Sequence, residues 1–317
     1  MKELVIGIDI GGTFTKYGFI DRVGNFYAEG VAPTDAYDYV DDYLAGLCKA
    51  IKESERQISE PYTLVGVGVG APNGNYHKGT VENATNLKWD GIVPFAELFK
   101  AYYDVPVKLT NDANAAALGE MIYGSAKGMR DFIMITLGTG LGSGIVVNGD
   151  LVYGHDGFAG EIGHVNVVKN GRQCGCGKKG CLETYVSAPG IKRTVFELLA
   201  DNATGSELAN HAFNELTSEM IYEAAKRNDP IALKAFDITG QILGASLADS
   251  VAHTSPEAIF LFGGLTKSGD YIFKPTKKYM EESMMHTFRN KVRVLASGLM
   301  DKNAAILGAG ALIWKDI

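Results

Sequence analysis

Short apolar runs that are rich in β-branched residues recur along the chain, and several of them end in glycine. A run of about 4–8 such residues that closes on a turn residue is typical of a strand covered on both faces. Runs of this kind cover residues 4–10, 64–70, 107–110, 132–137, 258–262 and 292–295. They predict buried strands, and the segments 14–21, 23–31 and 145–148 predict further strands that follow turns.

Between these runs, apolar residues recur every three or four positions, which predicts helices with one buried face. In the segment 38–59, for example, Val40, Leu44, Leu47 and Ile51 fall on or near one face. Residues 71–89 form a polar stretch that predicts a loop. Further helices are predicted over residues 94–103, 113–123, 190–199, 215–226, 231–253 and 303–314. Strands that alternate with helices indicate an α/β protein.

One pattern occurs twice: a strand, a glycine turn that carries a threonine, and a returning strand. The two copies cover residues 4–20 and 132–148. Repetition on this scale indicates a duplicated domain, with a cleft between the halves. We expect an N-terminal α/β domain built from residues 1–112 and 301–317, and a C-terminal α/β domain at 113–300. A length of 317 residues suits two domains.

Composition and charge exclude several classes of protein. A net charge of −7 without a basic stripe argues against a nucleic-acid surface. No segment reads as an export signal, and no run approaches the ~20 uncharged apolar residues of a membrane span. We therefore expect a cytoplasmic protein with no nucleic-acid or membrane partner.

Three of the four cysteines lie in one glycine-rich segment, at Cys174, Cys176 and Cys181, ten residues and more after His164. Thiolates repel one another and oxidise readily, so this crowding favours a cation between them. A Cys3His set is suited to tetrahedral structural zinc. The alternatives are ordinary cytosolic thiols, or a disulfide for which only Cys48 remains as an outside partner.

The two glycine turns suit a polyphosphate, because each offers convergent N–H groups and a hydroxyl. Asp9, at the end of the first strand, is placed to hold a hydrated Mg²⁺ against phosphate oxygens. Neither common nucleotide fingerprint is present, since the glycines at 138, 140, 142 and 144 join two predicted strands. Tight-turn geometry alone is the alternative explanation, and Asp112 is alternatively only a helix N-cap.

Four motifs together resemble the ROK family of sugar kinases. They are Asp9-x-Gly11-Gly12-Thr13, Asn111-Asp112, Glu161-x-x-His164 and Cys174-x-Cys176-Gly177-x-x-Gly180-Cys181-x-Glu183. The resemblance covers essentially the whole chain, and its cysteine segment is the most specific part. It implies a two-domain, actin-like and ribonuclease-H-like α/β fold. It also implies ATP-dependent phosphorylation of a hexose, most commonly glucose, at the 6-hydroxyl.

Carried over residue by residue, the resemblance implies a role for each motif. Asp112 matches the general base, while His164, Cys174, Cys176 and Cys181 match the zinc ligands. Residues that match the sugar-binding positions are Asn86, Asn111, Asp112, Glu161, His164 and Glu183. Residues that match the nucleotide-binding positions are Asp9, Gly11, Gly12, Thr13, Thr139, Gly140, Gly263 and Gly264. Many members carry lysine directly after the threonine, where this chain has Phe14, and Lys16 on the same strand face is the nearest substitute.

Several alternatives stay open at this point. The same hydroxyl-reading residues serve an N-acetylmannosamine, N-acetylglucosamine or fructose kinase, with the loop 71–89 as the element that selects the sugar. Polyphosphate is an alternative donor to ATP. A sugar-sensing ROK transcriptional regulator is an alternative of another class, and an actin-like or chaperone ATPase would lack the cysteine loop. A homodimer or homotetramer is expected.

Overall fold

Two five-stranded sheets form the framework of the chain in a computed structural model, which describes residues 1–201, 205–300 and 303–317. The strands in chain order are β1 (Lys2–Ile10), β2 (Phe14–Ile20), β3 (Phe26–Pro33), β4 (Tyr62–Gly70), β5 (Gly74–Asn75), β6 (Thr80–Glu82), β7 (Ile92–Val93), β8 (Val107–Thr110), β9 (Phe132–Leu137), β10 (Leu141–Val147), β11 (Asp150–Leu151), β12 (Ala258–Phe262) and β13 (Arg293–Ala296).

Both large sheets have the same topology. The strand order is β3-β2-β1-β4-β8 in the first sheet and β11-β10-β9-β12-β13 in the second. In each sheet the first three strands in sequence pair antiparallel and the last two join parallel. This repetition confirms the duplicated α/β framework that the sequence predicts.

The helices cover the outer faces of the sheets and the space between them. They are α1 (Val40–Glu55), α2 (Phe95–Lys100), α3 (Asp112–Tyr123), α4 (Glu183–Val186), α5 (Ala188–Asp201), α6 (Ser218–Lys226), α7 (Pro230–Thr254), α8 (Asp270–Ser283) and α9 (Ala304–Trp314). Helix α7 is long and apolar enough to cross a membrane, but 56% of its apolar window is buried inside the protein. It packs against α5, α6 and α8, which is the environment of a core helix.

Helices α3 and α9 cross each other between the two sheets. Helix α9 contacts β1 and β4 of the first sheet, and α3 contacts β9 and β10 of the second. The crossing is close because glycines face each other: a Cβ on Gly119 would lie 2.9 Å from the Cα of Gly308. Since α3 also contacts β4 of the first sheet, it lies at the junction of the two halves.

The far end of α3 is fixed by a fully buried carboxylate, Glu120. Its oxygens accept hydrogen bonds from the N–H of Ser125 at 2.7 Å and of Gly298 at 2.9 Å, and from the Ser297 hydroxyl. These partners belong to the turn after α3 and to the segment after β13. The C-terminal end of α3 is therefore held to the second sheet.

Three predictions about elements are wrong. The segment 71–89 is not a plain loop, because β5, β6 and β7 form a small antiparallel sheet within and beside it. Strand β3 begins at Phe26 rather than at 23, because Asp21 accepts from the N–H groups of Val23 and Asn25 and holds a turn there. Strand β10 begins at Leu141 rather than at 145, so the second glycine turn is shorter than predicted.

The proposed division into domains follows the two sheets in part. The first sheet ends at Thr110 and the second begins at Phe132, on either side of the predicted boundary at residue 112. The second predicted boundary, at residue 301, lies outside the described residues, as does residue 302. The domain limits therefore stay a prediction.

Candidate active site

A cleft of about 500 Å³ lies where the two sheets meet. It brings together eight residues that the sequence singles out from six separate segments of the chain. They are Asn86, Asn111, Asp112, Thr139, Gly140, Glu161, Glu183 and Gly263. Among the described residues, Asp9, Gly11, Gly12, Thr13, His164 and Gly264 do not line this cavity. Gly264 lines a neighbouring cavity, together with residues that directly follow it and residues of α6.

Asp112 occupies the first turn of α3, in the wall of the cleft. Asn111 caps the helix, because its Oδ1 accepts the N–H of Asn114 at 2.7 Å. Asp112 Oδ1 accepts the N–H of Ala113 at 2.8 Å. The side chain is exposed to the open cleft, and desolvation by the protein walls on either side raises its pKa, while the helix N–H bonds oppose the shift. Asp112 thus places a carboxylate oxygen where it can accept a proton from a ligand in the cleft.

Asp9 lies at the end of β1, directly opposite Lys16 of β2 in the strand register. Burial raises the pKa of Asp9 to about 6, the negative charge of Asp112 adds to the rise, and Lys16 opposes it. The two carboxylates are therefore close enough to interact electrostatically, although only Asp112 lines the cleft. No Lys or Arg is found among the described residues that line the cleft. An anionic ligand there needs positive charge from elsewhere, such as a metal ion or Lys16, which lies opposite Asp9.

Each of the two glycine turns is closed by a backbone hydrogen bond, although the two bonds span different numbers of residues. In the first, the N–H of Gly11 donates to the carbonyl of Phe14 at 3.0 Å, and in the second the N–H of Gly138 donates to that of Gly140 at 3.0 Å. A Cβ on Gly12 would lie 2.9 Å from the carbonyl oxygen of Asn86, so the first turn contacts the segment predicted to bind sugar. Each turn leaves its threonine side chain exposed.

Glu183 links the cysteine segment to the second glycine turn. Its Oε2 accepts the N–H of Leu141 at 3.0 Å, and a Cβ on Gly140 would overlap that oxygen. Glu161 is open to the cleft. Its pKa is raised, mainly by desolvation, and His164 opposes the rise. The sequence predicts these carboxylates as sugar ligands but gives no sign of the contact between Glu183 and the turn.

The cysteine segment and His164 form a compact ligand set. One ligand atom from each of His164, Cys174, Cys176 and Cys181 lies within 4.8 Å of the others. The sulfurs of Cys176 and Cys181 are 3.7 Å apart, and His164 Nδ1 is 3.7 Å from the sulfur of Cys174. Zn–S bonds of ~2.3 Å in a tetrahedron separate two sulfurs by ~3.8 Å. The donor set and its spacing therefore fit a tetrahedral zinc ion.

Arg172 anchors this segment to α5, and the sequence did not predict this contact. All five of its guanidinium N–H donors find acceptors: both carboxylate oxygens of Glu197, the carbonyls of Thr184 and Gly190, and the Thr194 hydroxyl. The guanidinium also lies 4.4 Å from the centre of the Tyr185 ring, which adds a cation–π contact. The segment that carries Cys174 and Glu183 is thus attached to a helix independently of any metal.

Other lining residues escaped prediction because they have no motif. Thr136 Oγ1 accepts the N–H of Gly142 at 3.1 Å, and the hydroxyl of Ser143 donates to the carbonyl of Gly160. Both side chains project from the second sheet and stabilise the loops around the cleft. A lone hydroxyl in an apolar strand is the only sequence signal that they give.

A model of the family described as the ROK family matches residues 5–316. The Glucokinase of Halalkalibacterium halodurans is 33% identical, covering 97% of this chain and 94% of its own length. The Xylose repressor of Caldicellulosiruptor bescii is 29% identical, covering 99% of this chain and 78% of its own length.

Solved structures show the same architecture. A ROK family glucokinase from Streptomyces griseus, crystallised in complex with glucose and AMPPNP, superposes with a TM-score of 0.80 at 32% identity, over 98% of each chain. The similarity therefore extends over both sheets and the cleft between them.

Proposed function

The chain belongs to the ROK family, and from that premise we propose that it is an ATP-dependent sugar kinase that phosphorylates the 6-hydroxyl of glucose. The glucokinase relatives, which match the full chain, support this substrate. The observation that carries the proposal is the meeting of Asp112, Glu161 and Glu183 with the second glycine turn in one cleft. The carboxylates suit a polyhydroxyl ligand, and the turn suits a phosphate chain.

Asp112 is the general base in this proposal. The oxygen of the sugar 6-hydroxyl attacks the γ-phosphorus of ATP, the bond to the β,γ-bridging oxygen breaks, and the hydroxyl proton passes to the Asp112 carboxylate. Phosphoryl transfer of this type asks the protein mainly for positioning and charge stabilisation. The N–H of Ala113 orients the Asp112 carboxylate, and desolvation raises its pKa and so makes it a stronger proton acceptor.

The nucleotide would be held at the two glycine turns and at Gly263 and Gly264. Gly263 has a φ of +106°, which a side chain would strain, and it lets the backbone approach a ligand closely. Asp9 would hold Mg²⁺, which when bound supplies the positive charge that the described cleft lining lacks. Gly11, Gly12 and Thr13 border the same region through the contact of Gly12 with Asn86.

The sugar would be bound by Asn86, Asn111, Glu161, His164 and Glu183. Zinc at the Cys3His set would fix the ring of His164 through Nδ1, leaving Nε2 to bind a sugar hydroxyl. We propose further that the protein acts in the cytoplasm as a homodimer or homotetramer, without a nucleic-acid or membrane partner. The net charge of −7 argues against a nucleic-acid partner, and closely spaced free thiols suit the reducing cytoplasm.

The proposal is tested by measuring ADP release with glucose, mannose, fructose, N-acetylmannosamine and N-acetylglucosamine, with ATP or polyphosphate as donor. We expect glucose with ATP to give the highest kcat/KM. A preference for an N-acetylated sugar would reassign the substrate within the same mechanism. DNA binding without hexose-dependent ADP release would favour the regulator instead.

The rate should depend on pH through Asp112. The base must be ionised, and desolvation in the cleft favours its neutral form and raises its pKa. The ionised fraction, and with it kcat/KM for glucose, should therefore fall as pH is lowered through this raised pKa, by about tenfold per pH unit. A pH–rate profile between pH 4.5 and 9 should show the midpoint above the ordinary Asp value of about 4. A midpoint at or below that value would contradict the assignment.

The zinc assignment predicts that Cys176→Ser loses zinc and binds glucose less tightly. Serine is a poor zinc ligand, so the zinc content should fall well below one ion per chain, and KM for glucose should rise about tenfold or more. Metal analysis and steady-state kinetics check both effects. Cys48→Ala, which removes a buried thiol outside the ligand set, is the control and should change neither. Unchanged glucose affinity in a zinc-free, folded Cys176→Ser protein would reduce the segment to scaffolding.

A further inference from the structure

Three consecutive residues after β4 bind one loop of the other half of the molecule. The side-chain amide of Asn75 donates to the carbonyl of Asp156 at 2.7 Å. The Tyr76 ring stacks on that of Tyr153, with centroids 4.1 Å apart and planes 5° from parallel. Nε2 of His77 lies 2.9 Å from the carbonyl oxygen of Gly154. We call this three-point contact between residues 75–77 and loop 153–157 the clasp.

Asn75 is the centre of the clasp and has no exposed surface. Its Oδ1 accepts the N–H groups of His77 at 3.1 Å and Lys78 at 3.2 Å, which shapes its own turn. Its amide nitrogen is then directed at the opposite loop. On that loop, Gly157 has a φ of +91°, and a Cβ there would lie 2.5 Å from Asn75 Oδ1. Only a glycine lets the two loops come this close.

The bound loop leads directly to Glu161. It closes on itself through the N–H of Ala159, which donates to the carbonyl of Tyr153 at 3.0 Å. Its other end is fixed by Ser143, whose hydroxyl bonds the carbonyl of Gly160 and accepts the N–H of Ile162 at 3.2 Å. Glu161 therefore stands just beyond a short loop that is fixed at one end by the second sheet and at the other by Asn75.

On the other side of the clasp, residues 75–77 lie next to the segment that carries Asn86. Asn73, which lines the cleft, donates from its side chain to the carbonyls of Glu82 and Asn83 at 3.0 and 3.1 Å. Strand β6 lies between these residues, and Asn86 follows shortly after. One buried amide thus sets the distance between two loops that carry sugar ligands from opposite sides of the cleft.

We propose that Asn75 is a positioning residue that sets sugar affinity by holding the Glu161 loop against the β5–β6 turn. This inference rests on the proposed function, because it takes Glu161 and Asn86 as sugar ligands. The clasp touches neither Asp112 nor the glycine turns through its hydrogen bonds. Its loss should therefore weaken glucose binding while leaving KM for ATP and most of kcat intact.

The test compares two changes at Asn75 with one on the opposite loop. Asn75→Asp keeps the acceptor that shapes the turn but removes the donor to Asp156, and Asn75→Ala removes both. Gly157→Ala pushes the clasp apart from the other side. All three should raise the dissociation constant for glucose, measured without ATP by calorimetry, by roughly tenfold or more, the cost of one buried hydrogen bond. KM for ATP should stay within about twofold.

His155→Ala is the matched control, because this side chain is exposed on the same loop, and it should leave glucose binding unchanged. Hydrogen exchange over residues 153–160 provides the second measurement and should accelerate in each clasp variant relative to the rest of the chain. Wild-type glucose affinity or wild-type exchange in Asn75→Asp and Gly157→Ala would overturn the proposal. Failure of the proposed function has a different signature, namely no hexose-dependent ADP release by the unaltered protein.

Discussion

Asp112→Asn is expected to lower kcat for glucose phosphorylation by about a thousandfold, within the range of 10²–10⁴ that general-base catalysis contributes. Asparagine has nearly the shape of aspartate but cannot accept the proton of the attacking hydroxyl. Its Oδ1 can still accept the N–H of Ala113, so the first turn of α3 should stay in place. The loss should therefore appear in turnover and not in folding.

Two measurements separate this outcome from its alternatives. The dissociation constant for glucose and the thermal unfolding midpoint of Asp112→Asn should stay close to those of the unaltered protein. Glu161→Gln is the comparison variant, because Glu161 lines the same cleft as a sugar ligand and should raise KM for glucose more than it lowers kcat. Turnover of Asp112→Asn within tenfold of normal would assign the base to another group.

Gly68→Ala is expected to destabilise the protein by about 3 kcal/mol or more, at the upper end of the effects of overpacking. A Cβ at this position of β4 would overlap the carbonyl oxygen of Ala309 in α9. The obstacle is backbone, so no side-chain rotation can relieve it. Helix α9 would have to move away from the first sheet, which would disturb its close crossing with α3.

Gly66→Ala supplies the control on the same strand, facing the same helix. There the new Cβ would lie 2.8 Å from Cγ2 of Ile313, so the obstacle is a buried side chain and not backbone. A side chain can shift more easily than a helix, so the expected cost is about 1–2 kcal/mol, below that of Gly68→Ala. Urea unfolding of both variants measures the difference. Equal midpoints would show that the sheet and α9 tolerate displacement.

The strand framework was predictable because its pattern is local. Strand β1 carries a nearly continuous apolar run that is followed by two glycines and a threonine, and β9 is likewise an apolar run followed by a turn of glycines and a threonine. The small sheet of β5, β6 and β7 was not, since strands of two or three residues are too short to show an alternation. Helix α8 went unpredicted because Ile272, Thr276 and Met280 are its buried positions among many charged residues.

The candidate site likewise has a part that the sequence predicted and a part that it did not. The cysteine ligands and the Asn111–Asp112 pair lie close together in sequence, so their spacing alone predicted a metal set and a residue at a strand end. The contact of Glu183 with Leu141 and the clasp at Asn75 join residues 42 and 81 positions apart. Contacts at such separations depend on how the two sheets meet, which a single sequence does not encode in any local pattern.

Because α3 is fixed at its C-terminal end, the position of Asp112 at the other end depends on the tilt of the helix. Glu120 lies eight residues after Asp112, which corresponds to about 12 Å of helix. A tilt of α3 by about 5° around Glu120 would displace Asp112 by about 1 Å, and a misplacement of that size costs about a hundredfold in rate. The bonds from Ser297 and Gly298 to Glu120 thus act as an alignment constraint, applied at the opposite end of the helix from the reacting hydroxyl.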